Sequence, residues 1–141
     1  MGEPSTDGLA SSELAAYVKA HSSAVVAAAV EQLASDPDMA AIARRRRLNE
    51  ADHAAQVASF WLEAVVSDLM LGSPVALEKN LVWSLRLSEG HSLDLQPALY
   101  RRCFEAVLAG ISSLPLRDDL AVAAAEYGDK ARAVVASVVG E

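Results

Sequence analysis

Residues 69–94 read LMLGSPVALEKNLVWSLRLSEGHSLD, and the way Leu69–Asp94 divides decides the fold. Gly72 ends one helix, because glycine accepts the left-handed backbone that closes a helical turn. Ser73 and Pro74 restart the chain, and the spacing of Leu77, Leu81 and Leu85 predicts a helix over 74–88 with those leucines inward. Gly90 breaks that helix. Ser92 or Asp94 caps the next, with Pro97 tolerated in its first turn, where a missing N–H costs nothing. Three helices therefore meet in one short joint. Trp83 stands apart from the leucines, on a flank shared with Lys79 and Arg86.

The same rhythm extends in both directions. Leu14, Val18, His21, Val25 and Ala28 form one helical line after the candidate caps Ser11 and Ser12. Asp36 caps a short second helix with Pro37 at its first position, and Arg44 to Arg47 fall at its end, where cations complement the helix dipole. Asn49 caps a third helix over 50–71. Its polar stripe of Asp52, Gln56, Ser59, Glu63 and Ser67 leaves Val57, Trp61, Val65 and Leu69 to pack. Leu99, Cys103 and Val107 line the fifth helix. Pro115 and Asp118 open the last, with Leu120, Ala124, Tyr127, Ala131, Val134 and Val138 as an amphipathic stripe. No segment alternates as a strand would. The expectation is an all-α, single-domain bundle of about six helices over 9–141, after a disordered polar leader over 1–8.

Composition narrows the function. A chain of 141 residues suits one domain with a sizeable core. Its 12 Lys+Arg against 19 Asp+Glu leave a net charge of −7, which disfavours nucleic acid, a ligand held by clustered cations. The single cysteine, Cys103, excludes an internal disulfide and fits a reducing compartment. No uninterrupted apolar run reaches the roughly 18 residues of a membrane span. The start, MGEPSTDGLASSE, lacks the basic and apolar regions of a secretory signal, so the cytoplasm is expected.

The residues that carry chemistry are sparse. His21, His53 and His91 are far apart and fit no metal-ligand spacing, so neither a catalytic nor a metal site is expected. His21 on an apolar line reads as a hydrogen-bonded core histidine or a ligand. His53, in the first turn of its helix, reads as a surface residue, and His91 as a group solvating the last carbonyls of its helix. Cys103 lies on a buried line, where cysteine acts as a small hydrophobe. Asp118 and Asp119 serve a helix N-terminus. The run Arg44–Arg47 is denser than capping requires and offers either a solvated turn or an anion contact. Trp83 beside Lys79 and Arg86 suits an interface or a flat ligand, since an indole offers area at low entropy cost and takes a cation on its face.

The segment Phe60–Ile111, and within it LMLGSPVALEKNLVWSLRLSEGHSLDLQPALYRRCFEAVLAGI, resembles the corresponding part of phycobiliproteins and of the non-haem globin-like sensor domains of stressosome proteins. The shared features are an aliphatic helix ending in glycine, a helix with a leucine in its first turn, a short glycine-containing break and another long helix. The resemblance covers a little over a third of the chain and implies a globin-like fold for 9–141, with a tendency to dimerise. It departs from the family where a bilin is held by a thioether. The Cys-x-Arg-Asp positions, counted back from Gly72, fall on Ala54, Gln56 and Val57, so a covalent bilin at the usual place is out. The histidine that holds haem iron in oxygen-binding globins is also missing from 74–89.

The resemblance therefore implies a non-enzymatic globin-like protein that binds a tetrapyrrole, preferably a bilin, without a covalent bond. Arg44, Arg47 and the arginines between them, Arg86, or Arg101 and Arg102 would pair with its propionates. Trp61, Trp83 and Tyr100 would stack on its rings, with His53 and His91 also near it. The alternatives are a cofactor-free dimeric signalling module of the stressosome kind, and a haem sensor using His53 or His91. A helical cap over cobalamin is a more distant reading. A homodimer is expected, with Trp83 or the first helix, whose AVVAAAV segment allows close approach, at the contact.

Overall fold

A computed structural model of the chain describes residues 4–91 and 97–139. They form seven helices and no strand: α1 (Pro4–Ala20), α2 (Ser22–Leu33), α3 (Pro37–Arg45), α4 (Glu50–Leu71), α5 (Val75–His91), α6 (Pro97–Ser112) and α7 (Asp118–Val139). The all-α class is as expected, with one helix more than the sequence suggested. The long first helix breaks at His21, whose φ of −112° and ψ of 23° leave the helical region. Its imidazole then reaches back, with Nδ1 2.8 Å from the Tyr17 carbonyl oxygen and the ring stacked on Tyr17 at 4.2 Å. His21 is exposed, not a core residue, and past the break Ala29 is fully buried in place of Ala28. α1 also begins at Pro4, inside the stretch read as a leader.

The helix ends obey local chemistry. Asp36 Oδ1 accepts from the Asp38 and Met39 amides at 2.9 and 3.3 Å, satisfying two of the donors that open α3. Asn49 Oδ1 accepts from the Asp52 amide at 3.0 Å at the start of α4. The other end of α3 is less ordinary. The Arg47 amide donates to the Arg44 carbonyl and the Leu48 amide to the Ala43 carbonyl, the paired bonds of a Schellman turn. That turn needs a left-handed residue, and Arg47 fills the position at φ 58°, where glycine would sit without strain. Gly72, at φ 76°, closes α4 in the expected way.

α4 occupies the middle of the bundle and touches α1, α2, α3, α5 and α6. Its Trp61, Val65 and Leu69 are buried with Leu77 and Leu81 of α5, Phe104 and Val107 of α6, and Ala131 and Val135 of α7. α2 and α6 approach so closely that a Cβ on Gly110 would lie 2.8 Å from the Val25 carbonyl oxygen. This explains a glycine inside an otherwise regular helix. Among the described residues α4 is the one helix long and apolar enough to cross a membrane by length and composition. Only 44% of its most apolar window is buried by the rest of the chain.

Candidate functional site

The N-terminal half of α4 presents His53, Gln56, Val57, Phe60 and Trp61 on one face, because residues spaced by three and four align along a helix. α3 crosses one side of that face with Met39 and Ile42, and α6 the other with Leu99, Tyr100 and Cys103. Trp83 and Ser84 of α5 close the end. The result is an open cleft of about 280 Å³ with an apolar floor. α3 is pinned in place as one wall by Arg102, whose Nε donates to Asp36 Oδ2 and whose second nitrogen donates to Asp38 Oδ2, both at 2.6 Å.

Aromatic rings dominate the cleft. Trp61 is buried and meets Phe60 and Tyr100 edge to face, at centroid distances of 5.2 and 6.0 Å, a geometry that suits ring quadrupoles. Trp83 is 59% exposed, so most of an indole lies open on the rim. The Tyr100 hydroxyl donates weakly to the Ser84 carbonyl at 3.5 Å, and burial raises its pKa, with Cys103 adding to the effect. Burial also pushes the Cys103 thiol up to about 12, with Asp36 adding and Arg102 opposing. Cys103 is thus a protonated hydrophobe at neutral pH and no nucleophile.

His53 and Arg46 supply the polarity. His53 is 7% exposed, buried and not on the surface as its first-turn position suggested, because α3 folds back over that turn. Burial lowers its pKa, and the nearby Arg46 charge lowers it further, so the imidazole is neutral at pH 7. Among the described residues no protein group hydrogen-bonds to the ring, yet no fully covered side-chain nitrogen or oxygen lacks a partner. The ring nitrogens therefore keep some exposure, and His53 lines the cleft.

Of the residues singled out in the sequence, the cleft gathers His53, Trp61, Trp83 and Tyr100. The arginines are distributed differently. Arg46 lines the cleft, whereas Arg44 pairs with Glu50 at 3.2 Å and Arg47 serves the Schellman turn. Arg86 is exposed and does not line the cleft, and neither do Arg101 and Arg102. The His91 side chain lies outside the described residues. Met39, Ile42, Phe60 and Leu99 were not foreseen as site residues, because each reads as ordinary packing until α3 is placed against α4 and α6. Among the described residues no group of three or more His, Cys, Asp or Glu side chains is placed to hold a metal ion.

A second buried polar group lies at the far end of α4. Asp68 is fully buried, and its carboxylate accepts from the Ala76 amide at 2.6 Å, the Leu77 amide at 3.2 Å and the Tyr127 hydroxyl at 2.7 Å. It caps α5 from the preceding helix and ties both to α7. Burial raises its pKa against the opposing effect of those three donors, and the Tyr127 phenol is pushed up by burial and by the Asp68 charge. All its bonds are accounted for within the fold. No family model, curated protein or solved structure matches the chain.

Proposed function

We propose that the protein is a non-enzymatic binding module whose α3–α4–α5–α6 cleft takes a flat, carboxylate-bearing ring system without a covalent bond. A bilin is the preferred class. The observation that carries this reading is the convergence of Phe60, Trp61, Trp83 and Tyr100 around an apolar floor with Arg46 and a neutral His53 at one side. Rings stack on the exposed Trp83 and Phe60, while Trp61 and Tyr100, expected to stack, are buried and back the floor behind them; burial of the rings supplies most of the affinity. Arg46 takes a propionate, a charge-assisted contact of about 1.5–3 kcal/mol. The buried, protonated Cys103 supports a non-covalent mode. At about 280 Å³ the cleft is just under the roughly 300–1,000 Å³ of enclosed small-molecule sites, so it covers part of a tetrapyrrole and leaves the rest against Trp83 and solvent. The resemblance over Phe60–Ile111 supports the same reading and, with it, a globin-like arrangement of the helices.

Absorbance titration with biliverdin tests the proposal. A red-shifted or sharpened band is expected with the wild type, and Arg46→Gln is expected to weaken binding by about tenfold or more, while Arg44→Gln leaves it unchanged. An unaltered biliverdin spectrum at all protein concentrations would overturn it. His53 supports a second reading, haem bound through its neutral imidazole. A Soret shift with haemin that vanishes in His53→Ala selects that reading. A protein indifferent to both ligands leaves the cofactor-free signalling module.

A further inference from the structure

A broad concavity lies away from the cleft, between α2 and the opposite face of α4. It measures about 860 Å³ and is floored by Val26, Ala27 and Val30 of α2 and by Ala55, Leu62 and Val66 of α4. Exposed Met70 stands at its margin. This groove accounts for the outward face of α4, the most apolar long helix of the chain, less than half of whose most apolar window the chain itself buries. The small side chains let another helix pair come close to the backbone.

Charge identifies the occupant. The whole chain carries −7, so two copies repel across most of their surfaces. Only Lys19 and Glu63 among the groove-lining residues are charged, and they cancel. Neither forms an ion pair within the chain among the described residues, whereas Arg44, Arg102, Arg117 and Arg132 all pair internally. A face of no net charge, apolar but for Ser22, Ser23, Ser59, Ser67 and one cation and one anion unpaired within the chain, is complementary to itself. When a twofold axis passes between the two charges, each Lys19 meets the Glu63 of the other copy, and the pair is made twice. A basic partner would be drawn to the acidic remainder of the surface, not here, and an anionic partner would gain nothing from a face with no net charge.

We infer that the α2–α4 groove is the interface for a second copy of this chain, fixed by reciprocal Lys19–Glu63 pairs. This moves the dimer contact away from Trp83, which stays with the cleft, and it stands independently of whether the cleft binds a ligand. Sedimentation velocity on the full chain at low ionic strength tests it, with circular dichroism to show that each variant folds. The wild type is expected to be dimeric at micromolar concentration. Lys19→Glu and Glu63→Lys, both exposed substitutions, should each raise the dissociation constant at least about tenfold by opposing like charges. The double exchange Lys19→Glu/Glu63→Lys should restore the wild-type value. Ala55→Glu, which places an unpaired carboxylate in the groove, should give a folded monomer. A wild type that stays monomeric throughout the micromolar range overturns the inference. So does a double exchange weaker than both single variants. A monomeric wild type that floats with neutral phosphatidylcholine vesicles would assign the groove to a lipid surface instead.

Discussion

The two ends of α4 each bury one ionisable side chain, and they treat it in opposite ways. At the C-terminal end Asp68 receives two amide hydrogen bonds and one from the Tyr127 hydroxyl, so its hydrogen-bond partners all come from the fold, although burial still raises its pKa. At the N-terminal end His53 is almost as covered but has no hydrogen-bond partner among the described residues, and it lines an aromatic cleft. A buried polar group that the fold fully satisfies is a structural device. One that the fold buries and leaves unpartnered is free to meet something else. On the proposed function, the same helix separates stability from binding along its length.

The contrast breaks most visibly at Asp68. Asp68→Ala strands the Tyr127 hydroxyl and two α5 amides, and is expected to cost about 3–4 kcal/mol in urea unfolding while His53→Ala costs clearly less. Equal costs at the two positions would erase the distinction. Tyr127→Phe removes one of the three donors and should cost about 1–2 kcal/mol by the same measurement.

A pH series sharpens the histidine end. The folded pKa of His53 lies below its ordinary value of 6.5, because burial and Arg46 disfavour the charged ring. Stability from this group is therefore fully present above 6.5 and is lost as pH falls through the depressed folded pKa, since the unfolded chain binds the proton first. Wild type should lose stability relative to His53→Leu on acidification below 6.5, and a difference independent of pH would contradict the burial. The smallest effect belongs to the turn that sets Arg46 on the cleft. Arg47→Gly relieves a left-handed arginine and should raise stability by about 0.5–1 kcal/mol, read as a shift in the urea midpoint. Any loss would mean that Arg47 makes a contact beyond the turn.

Much of this architecture was legible in the residues. Asp36-Pro37, Asn49 and Gly72 announce helix ends by local chemistry, and Leu99, Cys103 and Val107 announce a buried face by spacing, because both depend only on near neighbours. The break at His21 was not legible, since a single residue leaving the helical region interrupts neither the apolar pattern nor any glycine or proline signal. Four cleft residues, His53, Trp61, Trp83 and Tyr100, stood out as aromatic or titratable types. The sequence could not say that Arg46, and not Arg44 or Arg47, would line the cleft, because that choice follows from where the Schellman turn falls. Asp68 was missed for a related reason. It lies one turn before Gly72 and looks like another polar position of α4, and its role depends on the angle at which α5 returns.

The proposed division of α4 into a binding end and a structural end is tested by amide NMR titration of the protein with biliverdin. Shifts are expected at Met39, Ile42 and Arg46, in α4 near His53–Trp61, at Trp83 and Ser84, and over Leu99–Cys103, with Asp68, Ala76, Leu77 and Tyr127 unmoved. Shifts centred on Asp68 and Tyr127, or none anywhere, would contradict it.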